Sequence, residues 1–186
     1  LQQMQQQSSR MQSLLNDLLL LARLETSDHT SDDQYIDVKP MLESIRKDAQ
    51  ALSGEQGHQV TLEIEGNTRL HGVEGELRSA FSNLAFNAVK YTPEQGEIKL
   101  HWWSDDAGQH LSVTDNGVGV APQHLNRLTE RFYRVDSSRS TNTGGTGLGL
   151  AIVKHVLLRH QGRLEILSRL GEGSTFICHF PARRSS

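Results

Sequence analysis

Gly144-Gly145-Thr146-Gly147-Leu148-Gly149-Leu150 closes a polar, glycine-rich stretch, 131–147, and opens a strongly apolar one, 148–160. Glycines that end where a helix begins leave backbone N–H groups beside the positive end of the helix dipole, a place for phosphate. No Gly-Lys-Ser/Thr follows, so the segment is not a P-loop. A polar loop rather than a strand precedes it, so it also fails as a dinucleotide fingerprint. Residues 141–145 contain no apolar side chain and are expected to form a lid that orders over a nucleotide. Arg131, Arg134 and Arg139 border it and are candidates for neutralising phosphate charge.

Upstream, Asp115-Asn116-Gly117-Val118-Gly119 follows a strand in which Leu111 and Val113 are apolar. The two-residue period sends Asp115 to the same side as those residues. A carboxylate aimed at a core is costly unless something donates to it. The exocyclic amine of adenine is a suitable donor, and Gly117 and Gly119 let backbone approach a flat base. Read alone, the segment is more often an ordinary Asp-Asn-Gly turn after a strand.

Residues 74–91 form a long helix with two stripes. Leu77, Phe81, Leu84 and Ala88 are apolar, whereas Asn83, Asn87, Lys90 and Tyr91 are polar. The stripes lie roughly 100° apart around the axis, so one side is buried and the other offers amides, an ammonium and a phenol. Two amide oxygens suit Mg²⁺, and a lysine one turn on can meet a phosphate. Alone, Asn-x-x-x-Asn is also the pattern of two solvated amides.

Around these segments the pattern is α/β. Strands are expected at 35–38, 60–64, 98–103 and 111–114, with a closing hairpin 163–167/175–180 across Gly171-Glu172-Gly173. Helices are expected at 39–53 (with Met41, Leu42, Ile45 and Leu52 apolar), 122–128 and 148–160. The turn Asp105-Asp106-Ala107-Gly108 joins the two middle strands. At the start, Met4, Met11, Leu14, Leu18 and Leu21 make a heptad seam over 1–25. That helix either packs on its own domain or dimerises. Residues 26–34 read as a linker, and 183–186 as a tail.

Composition bounds the class. At 186 residues, with 35% hydrophobic and 22% charged side chains, there is apolar surface for a core. A net charge of −3 argues against a nucleic-acid binder. The single cysteine, Cys178, excludes an internal disulfide and a cysteine-based zinc site. No apolar run approaches the ~20 residues of a membrane span, and no signal peptide opens the chain. The expectation is a soluble, cytoplasmic piece of a longer protein, without membrane contact of its own.

Together these residues resemble the catalytic and ATP-binding domain of bacterial sensor histidine kinases, within the wider gyrase/Hsp90/MutL superfamily. The resemblance covers 35–182. It rests on N-L-A-F-N-A-V-K-Y (83–91), D-N-G-V-G (115–119), E-R-F-Y-R (130–134), G-G-T-G-L-G-L (144–150) and G-E-G-S-T-F (171–176). More narrowly, 128–140 with 144–155 is similar to the phosphate-regulon sensor kinases. The implied fold is a two-layer α/β sandwich, a mixed β-sheet covered by helices on one face and preceded by one bundle or coiled-coil helix.

The resemblance also implies roles. Asn87, with Asn83, would hold Mg²⁺ against the phosphates of ATP, Lys90 would touch phosphate, and Tyr91 would flank the base or ribose. Asp115 would bind the adenine amine with Thr175 assisting, and Gly117 and Gly119 would shape that end. Phe132 would anchor the lid, Arg134 would meet the γ-phosphate side, and Gly145, Thr146, Gly147, Leu148 and Gly149 would wrap the phosphate chain. Lys90, Arg134 and Asn83 would be the catalytic set. Residues 1–25 would be the second helix of a dimerisation and phosphoacceptor domain. The implied parent is a homodimeric inner-membrane protein with this domain on the cytoplasmic side. Its partners would be its own phosphoacceptor helix and a response-regulator receiver domain.

Two departures sharpen this. Hydrolytic relatives carry Glu where Asn83 stands, so a general base for hydrolysis is missing and phosphoryl transfer is favoured. None of the nine histidines stands in the family's His-Glu/Asp-x-x-Thr/Asn-Pro acceptor context; His124 and His155 open H-L-N-R-L and H-V-L-L-R. Competing readings are an ATPase clamp, an anti-sigma serine kinase, or a dimerisation module with a vestigial nucleotide site.

Overall fold

A computed structural model describes residues 1–26, 33–135 and 145–183. Helix α1 (Gln2–Thr26) leads into β1 (Gln34–Asp37), α2 (Val38–Ser53), β2 (Gln59–Ile64), β3 (Arg69–Gly72) and α3 (Glu74–Tyr91). The hairpin β4 (Glu97–Asp105) and β5 (Gly108–Asp115), the short α4 (Pro122–Leu125), α5 (Gly149–Arg159), β6 (Arg163–Arg169) and β7 (Gly173–Pro181) complete it.

The main sheet has the order β2-β4-β5-β7-β6; β2 and β4 run parallel and the remaining pairs antiparallel. It is the expected mixed sheet. Helices α2, α3 and α5 cover one face, contacting β2, β4, β5 and β6. Strand alternation dictates which side chains meet them: Ile98, Leu100 and Trp102 of β4, Leu111 and Val113 of β5, and Phe176, Cys178 and Phe180 of β7 are buried. Phe81 of α3 lies edge-on to Trp102 and Phe180, at 6.4 and 6.0 Å between ring centres, and so centres α3 on the sheet. Burying each such side chain contributes about 1.5–3 kcal/mol.

Several boundaries differ from the sequence reading, each for a local reason. Val38 starts α2 instead of ending a strand, because the Asp37 side chain accepts from the Lys39 N–H at 3.1 Å and caps the helix. Of the four apolar residues singled out in α2, Met41, Leu42 and Ile45 are buried and Leu52, near its end, is exposed. β3 has no signal in the sequence, since R-L-H-G has one apolar residue, and the strand exists because Leu70 pairs with Ile36 of β1. α4 spans four residues, shorter than 122–128.

The heptad seam of α1 divides. Leu21 and Leu24 are buried and Leu14 and Leu18 partly so, on the side that packs against α5, while Met4 and Met11 are exposed. The linker expectation falls mainly on 27–32 and the tail on 184–186, outside the described residues. Among the described residues, no helix is long and apolar enough to cross a membrane.

Candidate functional site

The end of the central strand β5 carries the group that organises the site. Asp115 lies on the helix side with Leu111 and Val113 and is 7% exposed. Burial pushes its carboxyl above the ordinary value, while hydrogen bonds from the Gly117 and Ser174 backbone N–H groups pull the other way. The Gly117 bond to Oδ1 is 2.9 Å.

The loop that follows is laced to its neighbours. Val118 N–H donates to the Tyr91 carbonyl (3.4 Å), and Gly171 N–H donates to the Val118 carbonyl (2.7 Å). The strand end, the end of α3 and the β6–β7 turn therefore close on one place. Gly119 sits at φ +68°, against the carbonyl of Arg169; a side chain there would be both strained and blocked.

Helix α3 supplies the opposite wall. Asn83, Asn87 and Lys90 are half-buried and Tyr91 is exposed, while Leu77, Phe81, Leu84 and Ala88 face the core. Asn83 Nδ2 donates to the Ser79 carbonyl at 2.8 Å, which leaves Oδ1 pointing at the start of α5. A Cβ at Gly149 would come within 2.7 Å of that oxygen, so a larger residue there would have to turn the Asn83 amide away. Lys90 Nζ lies directly against Gly145. Burial lowers the Lys90 ammonium below its ordinary value and the Arg134 guanidinium lowers it further. Burial raises the Tyr91 phenol, with Arg134 opposing. Two cations held at close quarters in a half-buried place repel one another, and an anion between them would relieve both.

Thr146 Oγ1 accepts from Leu148 N–H (3.3 Å) at the opening of α5 and donates to Asp17 of α1 (2.7 Å). Arg131 pairs with Glu25 of the same helix. The C-terminal half of α1 thus touches Thr146 within the glycine segment and Arg131 ahead of it. Asp17 was not singled out in the sequence, although an Asn-Asp pair inside a leucine run was a signal. Gly144, Arg139 and most of the expected 141–145 lid lie outside the described residues.

Two expected residues stand elsewhere. Thr175 is not beside the Asp115 carboxylate. It faces the other side of the sheet, paired with Thr114 at 3.1 Å between hydroxyls, because Phe176 turns inward. Ser174 is the register partner of Asp115, and its hydroxyl meets Ser168 at 2.8 Å. Parity from Phe176 could have found it. Thr175→Val is therefore expected to change nucleotide affinity by less than about twofold, read by calorimetry. Phe132 is 56% exposed, and its backbone rather than its ring makes the link, donating to the Gly147 carbonyl at 2.9 Å. Tyr133 is the anchored aromatic, against His124 and beneath Arg127 (4.4 Å to the ring centre). A cavity of about 450 Å³ between α4, α5 and β6, lined by Leu125, Lys154 and Arg163 among others, shares none of the site residues.

A model of the family described as histidine kinase-, DNA gyrase B- and HSP90-like ATPase matches residues 72–184. The chain belongs to this ATPase family. Within it, the chain is similar to the phosphate regulon sensor protein PhoR of Pseudomonas aeruginosa, with 66% identity over 97% of this chain and 41% of that protein. PhoR of Haemophilus influenzae is 46% identical over 97% of this chain and 42% of its own length. The chain spans about two-fifths of the curated relatives it matches. Among solved structures, full-length ShkA in complex with AMPPNP superposes with a TM-score of 0.79 at 30% identity, covering 96% of this chain and 38% of that one. The ATPase-family match includes α3, β5 and α5, the elements that bring Asn83, Lys90, Asp115 and Gly149 together.

Proposed function

We propose that this chain binds Mg²⁺·ATP and serves as the catalytic domain of a sensor histidine kinase in phosphate-regulon signalling. The γ-phosphoryl of ATP goes to a histidine outside this chain and then to an aspartate of a response-regulator receiver domain. The observation that carries the reading is the buried Asp115 carboxylate at the end of β5, together with the half-buried Lys90 ammonium held against Gly145 ahead of α5. The similarity to PhoR supports the signalling system, and the AMPPNP bound by ShkA supports the nucleotide.

Asp115 accepts from the adenine amine, which fixes the base end. Lys90 and Arg134 hold the phosphate charge, and the N–H groups at the start of α5 add to them. The donor set fits Mg²⁺, because the Asn83 oxygen is turned toward the site and amide oxygens are hard, neutral ligands. When bound, Mg²⁺ neutralises charge on the phosphate oxygens. Asn83 cannot take a proton from water, so hydrolysis has no base here and the phosphoryl group waits for a histidine. The exposed stripe Met4, Met11, Leu15 and Leu19 supports dimerisation through α1.

Incubation with γ-labelled ATP tests this. The chain alone should bind ATP yet leave no acid-labile phosphohistidine, and a separately supplied acceptor-helix domain should become labelled. Label on the chain itself, or rapid acceptor-independent hydrolysis, would overturn the proposal.

A further inference from the structure

On the sheet face turned away from the helices, Glu63 of the edge strand β2 and Glu65, just past its end, meet His101 of β4. Glu63 is the register partner of His101, and Glu65 N–H donates to the Trp102 carbonyl at 2.8 Å, so two carboxylates flank one imidazole. A ligand atom from each of the three lies within 4.8 Å of the others.

Three observations set this cluster apart from a ladder of surface ion pairs. His101 Nε2 is shut off from solvent and makes no hydrogen bond among the described residues; Glu65 Oε1, at 3.7 Å, is too far for one. The His101 ring is held by stacking on Trp103, 4.9 Å between centres and 28° between planes, which fixes where that nitrogen points. The Glu63 and Glu65 carboxylates also stand within hydrogen-bonding reach of one another, with the Lys99 ammonium 2.5 Å from Glu63. Lys99 already balances one of these carboxylates, and a divalent ion would balance both.

We propose that Glu63, Glu65 and His101 bind a divalent transition-metal ion of the zinc class, on the opposite face of the sheet from Asp115. One imidazole, two carboxylates and a water make a four-coordinate set for Zn²⁺. Mg²⁺ and Ca²⁺ favour oxygen ligands alone, so the imidazole separates this site from the Asn83–Asn87 one. Drawing the ligand atoms in to Zn²⁺ distances of about 2.0–2.2 Å needs carboxylate rotation and release of Lys99, whose side chain is 52% exposed. The ion would clamp the edge strand β2 onto β4 and so stabilise the folded chain.

Calorimetric titration of the nucleotide-free chain with Zn²⁺, in excess Mg²⁺, tests the site. Wild type should bind one equivalent, with a change in Trp103 fluorescence. His101→Asn and Glu65→Gln should each weaken binding by at least about tenfold. His110→Asn, which alters the other imidazole stacked on Trp103 (5.0 Å), should leave the affinity unchanged. Trp103→Phe should keep the affinity and lose the optical signal. Unfolding midpoints in chelator show that each variant is folded. Absence of saturable one-to-one binding, equal affinity in wild type and His101→Asn, or equal weakening by His110→Asn would overturn the proposal.

Discussion

Replacing Asp115 by Asn is expected to weaken ATP binding roughly 10- to 100-fold, the equivalent of ~1.5–3 kcal/mol for a hydrogen bond to a charged group. The carboxylate already accepts from Gly117 N–H and Ser174 N–H. An amide turns one acceptor into a donor, which faces either a backbone N–H or the adenine amine, and both are donors themselves. Wild type should also discriminate against GTP, whose carbonyl at that position meets a carboxylate with no proton between them; calorimetry with both nucleotides measures this. Equal affinities would make Asp115 structural. Stability should move separately from binding. Burial raises the Asp115 carboxyl above its ordinary 3.8. An acid shifted this way contributes stability that is fully present below the unfolded value and lost as pH rises through the folded one. The variant lacks that titration, so its urea midpoint should fall less than the wild type's between about pH 4 and about pH 7.

How far the site was legible follows from what sets each position. Asn83, Asn87 and Lys90 lie on a regular helix whose periodicity fixes both faces, so α3 came out with the expected bounds and stripes. Asp115 came from strand parity, and the same rule applied to Phe176 would have turned Thr175 outward and named Ser174. β3 and the Asp17–Thr146 contact were not legible, because each depends on a partner distant in sequence: β3 on β1, and Asp17 on a residue 129 positions away. Propensity and periodicity act over a turn or two, whereas these contacts arise only once β1 lies beside β3 and α5 against α1. Phe132 shows a further limit. Aromatic residues are expected to be buried, but its φ of +63° and its backbone bond to Gly147 leave Tyr133 as the packed ring.

Removing the Glu76 side chain should have the largest effect on stability, because it breaks the ion pair that joins the two walls of the nucleotide site. Arg159 at the end of α5 grips Glu76 at the start of α3 through two bonds, Nε to Oε1 at 2.7 Å and Nη2 to Oε2 at 3.1 Å. The side chains are only 12% and 7% exposed. Arg159 Nη1 also donates to the Leu24 carbonyl (3.0 Å), so the same guanidinium holds the end of α1. Glu76→Ala strips a buried guanidinium of its carboxylate, and such losses cost about 3–5 kcal/mol. It also removes an acid from the first turn of α3, a further ~0.3–1 kcal/mol. The paired variant Glu76→Leu/Arg159→Met separates the charge from the shape. Buried ion pairs can often be exchanged for apolar residues of similar volume at little cost, so the double variant should recover most of the urea midpoint lost by Glu76→Ala. Nucleotide affinity should follow the same order. Asn83 and Gly149 meet only while α3 and α5 keep their spacing, so a double variant as unstable as the single one would show that the charge itself, rather than the packing, holds the two helices together.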